Sequence, residues 1–118
     1  MKVVLLIDDE PQMKGLVAMT LDDLGVRVVR AATFSDARDV ARRESPDLVL
    51  LDVDLGNEDG LSILPHLREE PSLTGVPVVI VTVHDSKREE ALGMGVEGFV
   101  AKPFKVSLLR DVVEPFLR

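Results

Sequence analysis

Five short runs of aliphatic and β-branched residues recur along the chain: VVLLI (3–7), VRVVRA (26–31), LVLL (48–51), VPVVIVTV (76–83) and the weaker GFVA (98–101). Each is nearly continuous in apolar character rather than alternating. That is the pattern of strands covered on both faces, as in a parallel sheet between helices. Arg27 and Arg30 interrupt the second run. Charge of that kind is tolerated on an edge strand, so this run is predicted at the edge.

The intervening segments change to helical period. In PQMKGLVAMTLDDLG, Met13, Leu16, Val17, Thr20, Leu21 and Leu24 share one stripe, with Pro11 suited to the first turn and Gly25 to the close. Phe34, Ala37, Val40 and Ala41 form the stripe of the second helix, and Leu61, Leu64 and Leu67 that of the third. Pro65 has to lie near the start of the third helix or kink it. SKREEALGMG is mostly polar with a thin apolar edge. The last segment places Val106, Leu109, Val112, Val113 and Phe116 on one face. Strand and helix thus alternate five times, which predicts a (βα)5, doubly wound α/β domain with right-handed crossovers. Residues 1–118 read as one domain, without linker, repeat or low-complexity segment.

Composition narrows the function. The chain carries a net charge of −7, which argues against a nucleic-acid-binding face and leaves room for a cation or a basic partner. Cysteine is absent, so thiolate metal sites and disulfides are excluded, in keeping with a reducing cytoplasm. The apolar run after Lys2 is too short for a signal-peptide core, and the longest run, at 76–83, is too short to cross a bilayer. A soluble cytoplasmic protein is the expectation.

In an open parallel sheet, function collects at the carboxyl ends of the strands. Here those ends read Asp8-Asp9-Glu10 after the first strand, Asp52 after the third, Thr82 after the fourth and Lys102-Pro103-Phe104 after the fifth. Carboxylates gathered from two strands repel one another unless a cation lies between them. Oxygen ligands without His or Cys favour Mg2+ over Zn2+. A hydroxyl and an ammonium nearby suit the remaining oxygens of a phosphate, and one carboxylate is placed to act as nucleophile. The residues by themselves therefore point to Mg2+-dependent phosphoryl transfer onto an aspartate.

VVLLIDDEP, DLVLLDVDLGNEDG, PVVIVTVHDS and GFVAKPF resemble, in order and spacing across the whole chain, the receiver domain of two-component response regulators, the CheY-like fold. The resemblance implies a five-stranded flavodoxin-like sheet of order 2-1-3-4-5. It implies that Asp52 is the phospho-acceptor, Asp9 the direct Mg2+ ligand and Asp8 its water-mediated neighbour. Residue 54 would lend its backbone carbonyl to the metal, and Thr82 and Lys102 would contact the phosphoryl oxygens. Lys102–Pro103 would be a cis bond, and Phe99 holds the switch-aromatic position beside Thr82. Such a domain is not an enzyme on other substrates; it catalyses only its own phosphorylation and dephosphorylation. Its implied partners are a sensor histidine kinase or histidine phosphotransfer protein as donor and an output domain or protein downstream. A second copy docked through the fourth helix, fifth strand and fifth helix is a further implied partner; nucleic acid and membrane are not.

The chain departs from the family pattern in two places. Leu55-Gly56-Asn57-Glu58-Asp59-Gly60 stands where Leu-Pro-Gly-Met-Asp-Gly is usual, and Val83 stands where Ala or Gly usually follows the Thr. Gly56 makes the loop less rigid, and Val83 is expected to hinder an attacking water and so slow loss of the phosphoryl group. Phe99 lacks a hydroxyl, so its switching is expected to rest on packing alone. Glu58 and Asp59 read as solvated loop residues, His66 as a surface residue and His84 as a rim residue of the pocket. Two rival functions remain: a receiver-like docking module that is never phosphorylated, and a haloacid-dehalogenase-type phosphatase using Asp52 and Asp54. Motif order disfavours the second, because there the D-x-D precedes the other site residues. GMGVEG (93–98) has the letters of a dinucleotide fingerprint, but its glycines close a helix instead of opening one.

Overall fold

A computed structural model describes residues 1–118. The elements run β1 (Val3–Ile7), α1 (Gln12–Thr20), β2 (Arg27–Ala31), α2 (Phe34–Glu44), β3 (Leu48–Leu51), β4 (Asp54–Leu55) and β5 (Glu58–Asp59). They continue with α3 (Gly60–Glu69), β6 (Val78–Thr82), α4 (Arg88–Gly93), β7 (Gly98–Ala101) and α5 (Val106–Val113). Five strands form one parallel sheet in the order β2-β1-β3-β6-β7, which is the predicted 2-1-3-4-5 once the small β4–β5 hairpin is set aside. β2, with Arg27 and Arg30, is an edge strand as expected. The side chain of Arg27 pairs with Glu44 of α2 beside that edge.

The period-two geometry of the strands divides the core between the two faces of the sheet. Leu5, Ile7, Val49, Leu51, Val78, Ile80 and Phe99 pack beneath α2, α3 and α4. Val4, Leu6, Leu48, Leu50, Val79, Val81 and Val100 pack against Met13 and Val17 of α1 and Leu109 and Val113 of α5. Covering on both faces is what the continuous apolar runs required.

Several boundaries differ from the prediction for local reasons. The fourth run forms a strand only over Val78–Thr82, because Pro77 has no N–H to give a ladder and Val83 already faces solvent. α1 ends at Thr20, whose hydroxyl bonds back to the Leu16 carbonyl at 2.7 Å, and a 3-10 turn then runs to Gly25 in the left-handed region (φ 65°). Pro65 lies inside α3, in its second turn. On α5, Val106 is exposed, contrary to expectation: it starts the first turn, and the buried row is Leu109 and Val113, continued four residues on by Leu117 in the 3-10 turn that follows the helix. α4 is short, and Ala91 is its one buried residue, in keeping with the thin apolar edge of its sequence. After it, Gly95 takes φ 84°, with Gly95 N–H bonded to the Leu92 carbonyl and Val96 N–H to that of Ala91. That is a helix-closing motif and removes the dinucleotide reading of GMGVEG.

Glu70, just past α3, is a buried carboxylate. The Ser72 backbone N–H, the Ser72 hydroxyl and Arg42 hold its pKa down to about 2.

Candidate functional site

β1 and β3 are neighbours at the centre of the sheet, and the chain leaves them in opposite directions, so a crevice opens beyond their carboxyl ends. The register pairs Ile7 with Leu51, which brings the next residues, Asp8 and Asp52, side by side. Asp8 N–H bonds to the Ala31 carbonyl and Asp52 N–H to that of Ile7, so both backbones are fixed by the ladder. Both side chains are buried. From the far side, Thr82 pairs with Ala101, and Lys102 N–H bonds to the Thr82 carbonyl at 2.7 Å. The Lys102–Pro103 bond is cis, as the resemblance implied.

Lys102 reaches across to the centre of the crevice. Its Nζ lies 2.8 Å from Asp8 Oδ2, 3.0 Å from Asp52 Oδ2 and 3.2 Å from Glu10 Oε1. Burial alone would lower the pKa of this ammonium, but its hydrogen bonds to Asp8 and Asp52 outweigh burial and raise it. Burial raises the pKa of Asp8, against the pull of Lys102 and of the Glu10 N–H on its other oxygen. The second oxygen of Asp52, Oδ1, accepts from Asp54 N–H at 3.0 Å. Thr82 is fully buried at the end of β6, and its hydroxyl oxygen accepts from His84 N–H.

Asp8, Glu10 and Asp52 offer carboxylate oxygens that all lie within 4.8 Å of one another. With oxygen donors only and no His or Cys, this set has the donor chemistry of a hard divalent cation such as Mg2+, which would share these carboxylates with the Lys102 ammonium already in contact with all three. Asp9 is not among the three. It is exposed, and its Oδ2 approaches Gly56 from across the crevice, 3.4 Å from where a Cβ on that residue would stand. Asp9 therefore lines the same mouth from the side of the loop that carries residue 54. The resemblance implies no role for Glu10; its signal in the sequence is a third carboxylate directly after Asp8-Asp9.

The loop after β3 is more ordered than the sequence suggested. Asp54 pairs with Asp59 and Leu55 with Glu58 in an antiparallel hairpin turning at Gly56-Asn57. Gly56 has φ 73°, a value closed to proline, so the substitution at this position changes the path of the loop and not only its stiffness. Asp59 is not simply solvated: it caps α3, accepting from Leu61 N–H and the Ser62 hydroxyl. Glu58 Oε1 accepts from Phe34 N–H, so it too is engaged. The Asp54 carboxylate is exposed and lies 3.6 Å from His84 Nε2. These residues border a shallow groove of about 440 Å3 beside the crevice, which Lys87 also lines. His66 is exposed and tilted against Phe34, 5.9 Å between centroids.

Phe99 is buried in the core beneath α4, not held outside it. Its ring lies 4.7 Å from the Arg88 guanidinium, and Arg88 also pairs with Asp85. Its environment thus includes a charge, a contact that packing arguments from sequence did not foresee.

The model of the response regulator receiver domain matches residues 4–114. The chain belongs to that family. It is 38% identical over 105 residues to the probable transcriptional regulatory protein TcrX of Mycobacterium tuberculosis, covering 87% of this chain and 44% of that protein. It is 30% identical to the alkaline phosphatase synthesis transcriptional regulatory protein PhoP of Bacillus subtilis, covering 99% of this chain and 49% of the relative. The chain thus spans less than half the length of these curated relatives. Among solved structures it is similar to the receiver domain of the sensor histidine kinase PA1611 from Pseudomonas aeruginosa PAO1 (29% identity, TM-score 0.82, covering 98% of this chain and 97% of that one). That receiver domain has a magnesium ion coordinated in its active-site cleft. Family membership removes the haloacid-dehalogenase-type alternative, and the exposed Asp54 carboxylate, turned to His84, agrees with that. No helix of the chain is long and apolar enough to cross a membrane.

Proposed function

We propose that residues 1–118 act as one phospho-acceptor domain in which Asp52 takes a phosphoryl group from a phospho-histidine. The observation that carries this reading is the state of Asp52: a buried carboxylate at the end of a central strand, one oxygen fixed by Asp54 N–H and the other by the Lys102 ammonium. A carboxylate oriented in this way is a positioned nucleophile, and the neighbouring ammonium lies where negative charge develops. In the transfer, an Asp52 oxygen forms a bond to phosphorus as the phosphorus–nitrogen bond of the donor imidazole breaks, and the imidazole leaves with its proton. Lys102 stabilises charge on the phosphoryl oxygens, and the Thr82 hydroxyl donates to one of them.

Asp8, Asp9 and Asp52, with the carbonyl of residue 54, are the proposed holders of Mg2+, and Glu10 stands beside them as a further carboxylate. When bound, Mg2+ supplies neutralisation of the charge shared by carboxylates and phosphoryl group. The donor is a sensor histidine kinase or histidine phosphotransfer protein, which places the reaction in the cytoplasm. The output is read by a further domain or protein, or by a second copy, at the surface of α4, β7 and α5. Thr82 and Phe99 link the two ends of this device: movement of Thr82 toward the phosphoryl group changes the packing of Phe99 and so biases α4.

Incubation with acetyl phosphate and Mg2+, followed by intact mass, tests the proposal. Wild type is expected to gain one phosphoryl group only when Mg2+ is present, and Asp52→Asn none. An unmodified wild-type chain would favour the phosphorylation-independent docking module. Repeated turnover of a phosphate ester, without a retained group, would overturn both readings.

A further inference from the structure

We infer that Glu58 is a positioning residue for the backbone of residue 54, acting as a latch that ties the acceptor loop to α2. The inference rests on the proposed role of the residue 54 carbonyl as a metal ligand. A two-residue hairpin such as β4–β5 does not hold its own geometry in water. Its β5 side must therefore be anchored, and the structure shows two anchors. At one end Asp59 caps α3, and Gly60 N–H bonds to the Val53 carbonyl at 2.6 Å. A Cβ at Gly60 would stand 2.1 Å from the Asp52 carbonyl oxygen, so this junction tolerates no side chain. At the other end Glu58 Oε1 accepts from Phe34 N–H at 3.0 Å.

Phe34 is the first residue of α2, where the amide has no partner within the helix. The N-cap Thr33 serves Asp36 N–H instead, leaving the Phe34 amide to Glu58. A carboxylate at that end also suits the helix dipole. α2 is a firm support, since Ala37, Val40 and Ala41 are buried in the core. Residue 54 lies on the strand paired with this anchored one, opposite Asp59. Glu58 itself stands apart from the three clustered carboxylates, so its effect on the metal passes through the backbone.

The test is a Mg2+ titration of wild type, Glu58→Met and Glu58→Gln, read from the amide NMR signals of residues 52–56, with hydrogen exchange measured at the Phe34 amide. Met keeps the length of the side chain and removes the acceptor, whereas Gln keeps an acceptor oxygen and removes the charge. Glu58→Met is expected to raise the Mg2+ dissociation constant by about three- to tenfold, the loss of one charge-assisted hydrogen bond, and to strip protection from Phe34. Glu58→Gln is expected to stay within about twofold of wild type on the same grounds. Because coupling is reciprocal, Mg2+ should increase Phe34 protection in the wild-type chain, a readout that needs no variant. Equal affinity in Glu58→Met and wild type, or equal weakening in Glu58→Gln and Glu58→Met, would overturn the latch. So would Phe34 protection indifferent to Mg2+. A wild-type chain that bound no Mg2+ would instead bring down the reading of the site on which the latch depends.

Discussion

The two ends of the proposed signalling path are held together by different means. At the acceptor end, Lys102 is almost fully covered and serves three carboxylates, two of them buried. At the α4 end the ionic contacts, Lys87–Glu90 and Arg88–Asp85, are exposed pairs one turn apart. Exposed pairs of this kind contribute about 0–1 kcal/mol, whereas breaking a buried one costs several times more. Apolar support is equally uneven, since α4 buries only Ala91 while the strands flanking the acceptor are buried throughout. The contrast suits a device in which chemistry must be pre-positioned and the responding element must move at low cost.

The strongest way to break that contrast is to remove the ammonium. Lys102→Met leaves Asp8 and Asp52 buried and adjacent without a counter-charge, and is expected to cost about 3 kcal/mol in urea unfolding at neutral pH without metal. If Mg2+ binds the folded state at these carboxylates as proposed, it should restore a large part of this loss. The sign of the pH dependence follows from Asp8. Its folded-state pKa is raised above 3.8, so its ionised form is a liability of the folded state at neutral pH, and the liability relaxes as pH falls through that raised value. The deficit of Lys102→Met should therefore shrink in acid. A deficit that did not shrink on acidification, with or without Mg2+, would show that Lys102 acts through packing and not through charge.

A smaller effect is expected at the other end. Arg88→Ala removes the guanidinium from the Phe99 ring and the pairing with Asp85, and is expected to cost about 0.5–1 kcal/mol, the usual scale for a partly exposed cation–π contact. Its more specific consequence is conformational: the Phe99 ring signals and the amides of residues 86–95 should shift in the unphosphorylated chain. A double-mutant cycle with Phe99→Leu measures the coupling directly. No coupling between the two would leave α4 held by its apolar edge alone.

The same contrast explains how much could be read from the sequence. The strand ends were legible because a parallel sheet brings carboxyl ends together by topology, so Asp8, Asp52, Thr82 and Lys102 needed only their residue types and their places after apolar runs. Arg27 and Arg30 similarly marked the edge strand. What was not legible depends on where long side chains go after the backbone is placed. Glu58 looked solvated because its partner, the Phe34 amide, is 24 residues away in sequence. Arg88 lies on a helix that reads as a polar surface, and nothing local points to the Phe99 ring. Val106 fitted the helical stripe of α5, yet the first turn lies beyond the buried row, which period alone does not reveal. For Gly56 the sequence speaks only to the stiffness of the loop; the left-handed φ shows that it sets the path as well.

The smallest expected effect tests the rim between the two ends. Val83 follows Thr82 and is 58% exposed, so it contributes little to the core and stands on the solvent side of the strand end. On the proposed reading, a β-branched group there is expected to narrow the approach of water to a phosphoryl group on Asp52, and Val83 is not among the residues that Lys102 contacts. Val83→Ala should accordingly speed loss of the phosphoryl group by about threefold, roughly 0.7 kcal/mol of barrier, while leaving unfolding stability within about 0.5 kcal/mol of wild type. The decay is followed by intact mass after removal of the donor. An unchanged or slower decay would mean that water reaches phosphorus by another route. The groove bordered by Asp54 and His84 would then be the next place to look, since the acceptor-loop residues Val53, Asp54 and Gly56 line it and Val83 does not.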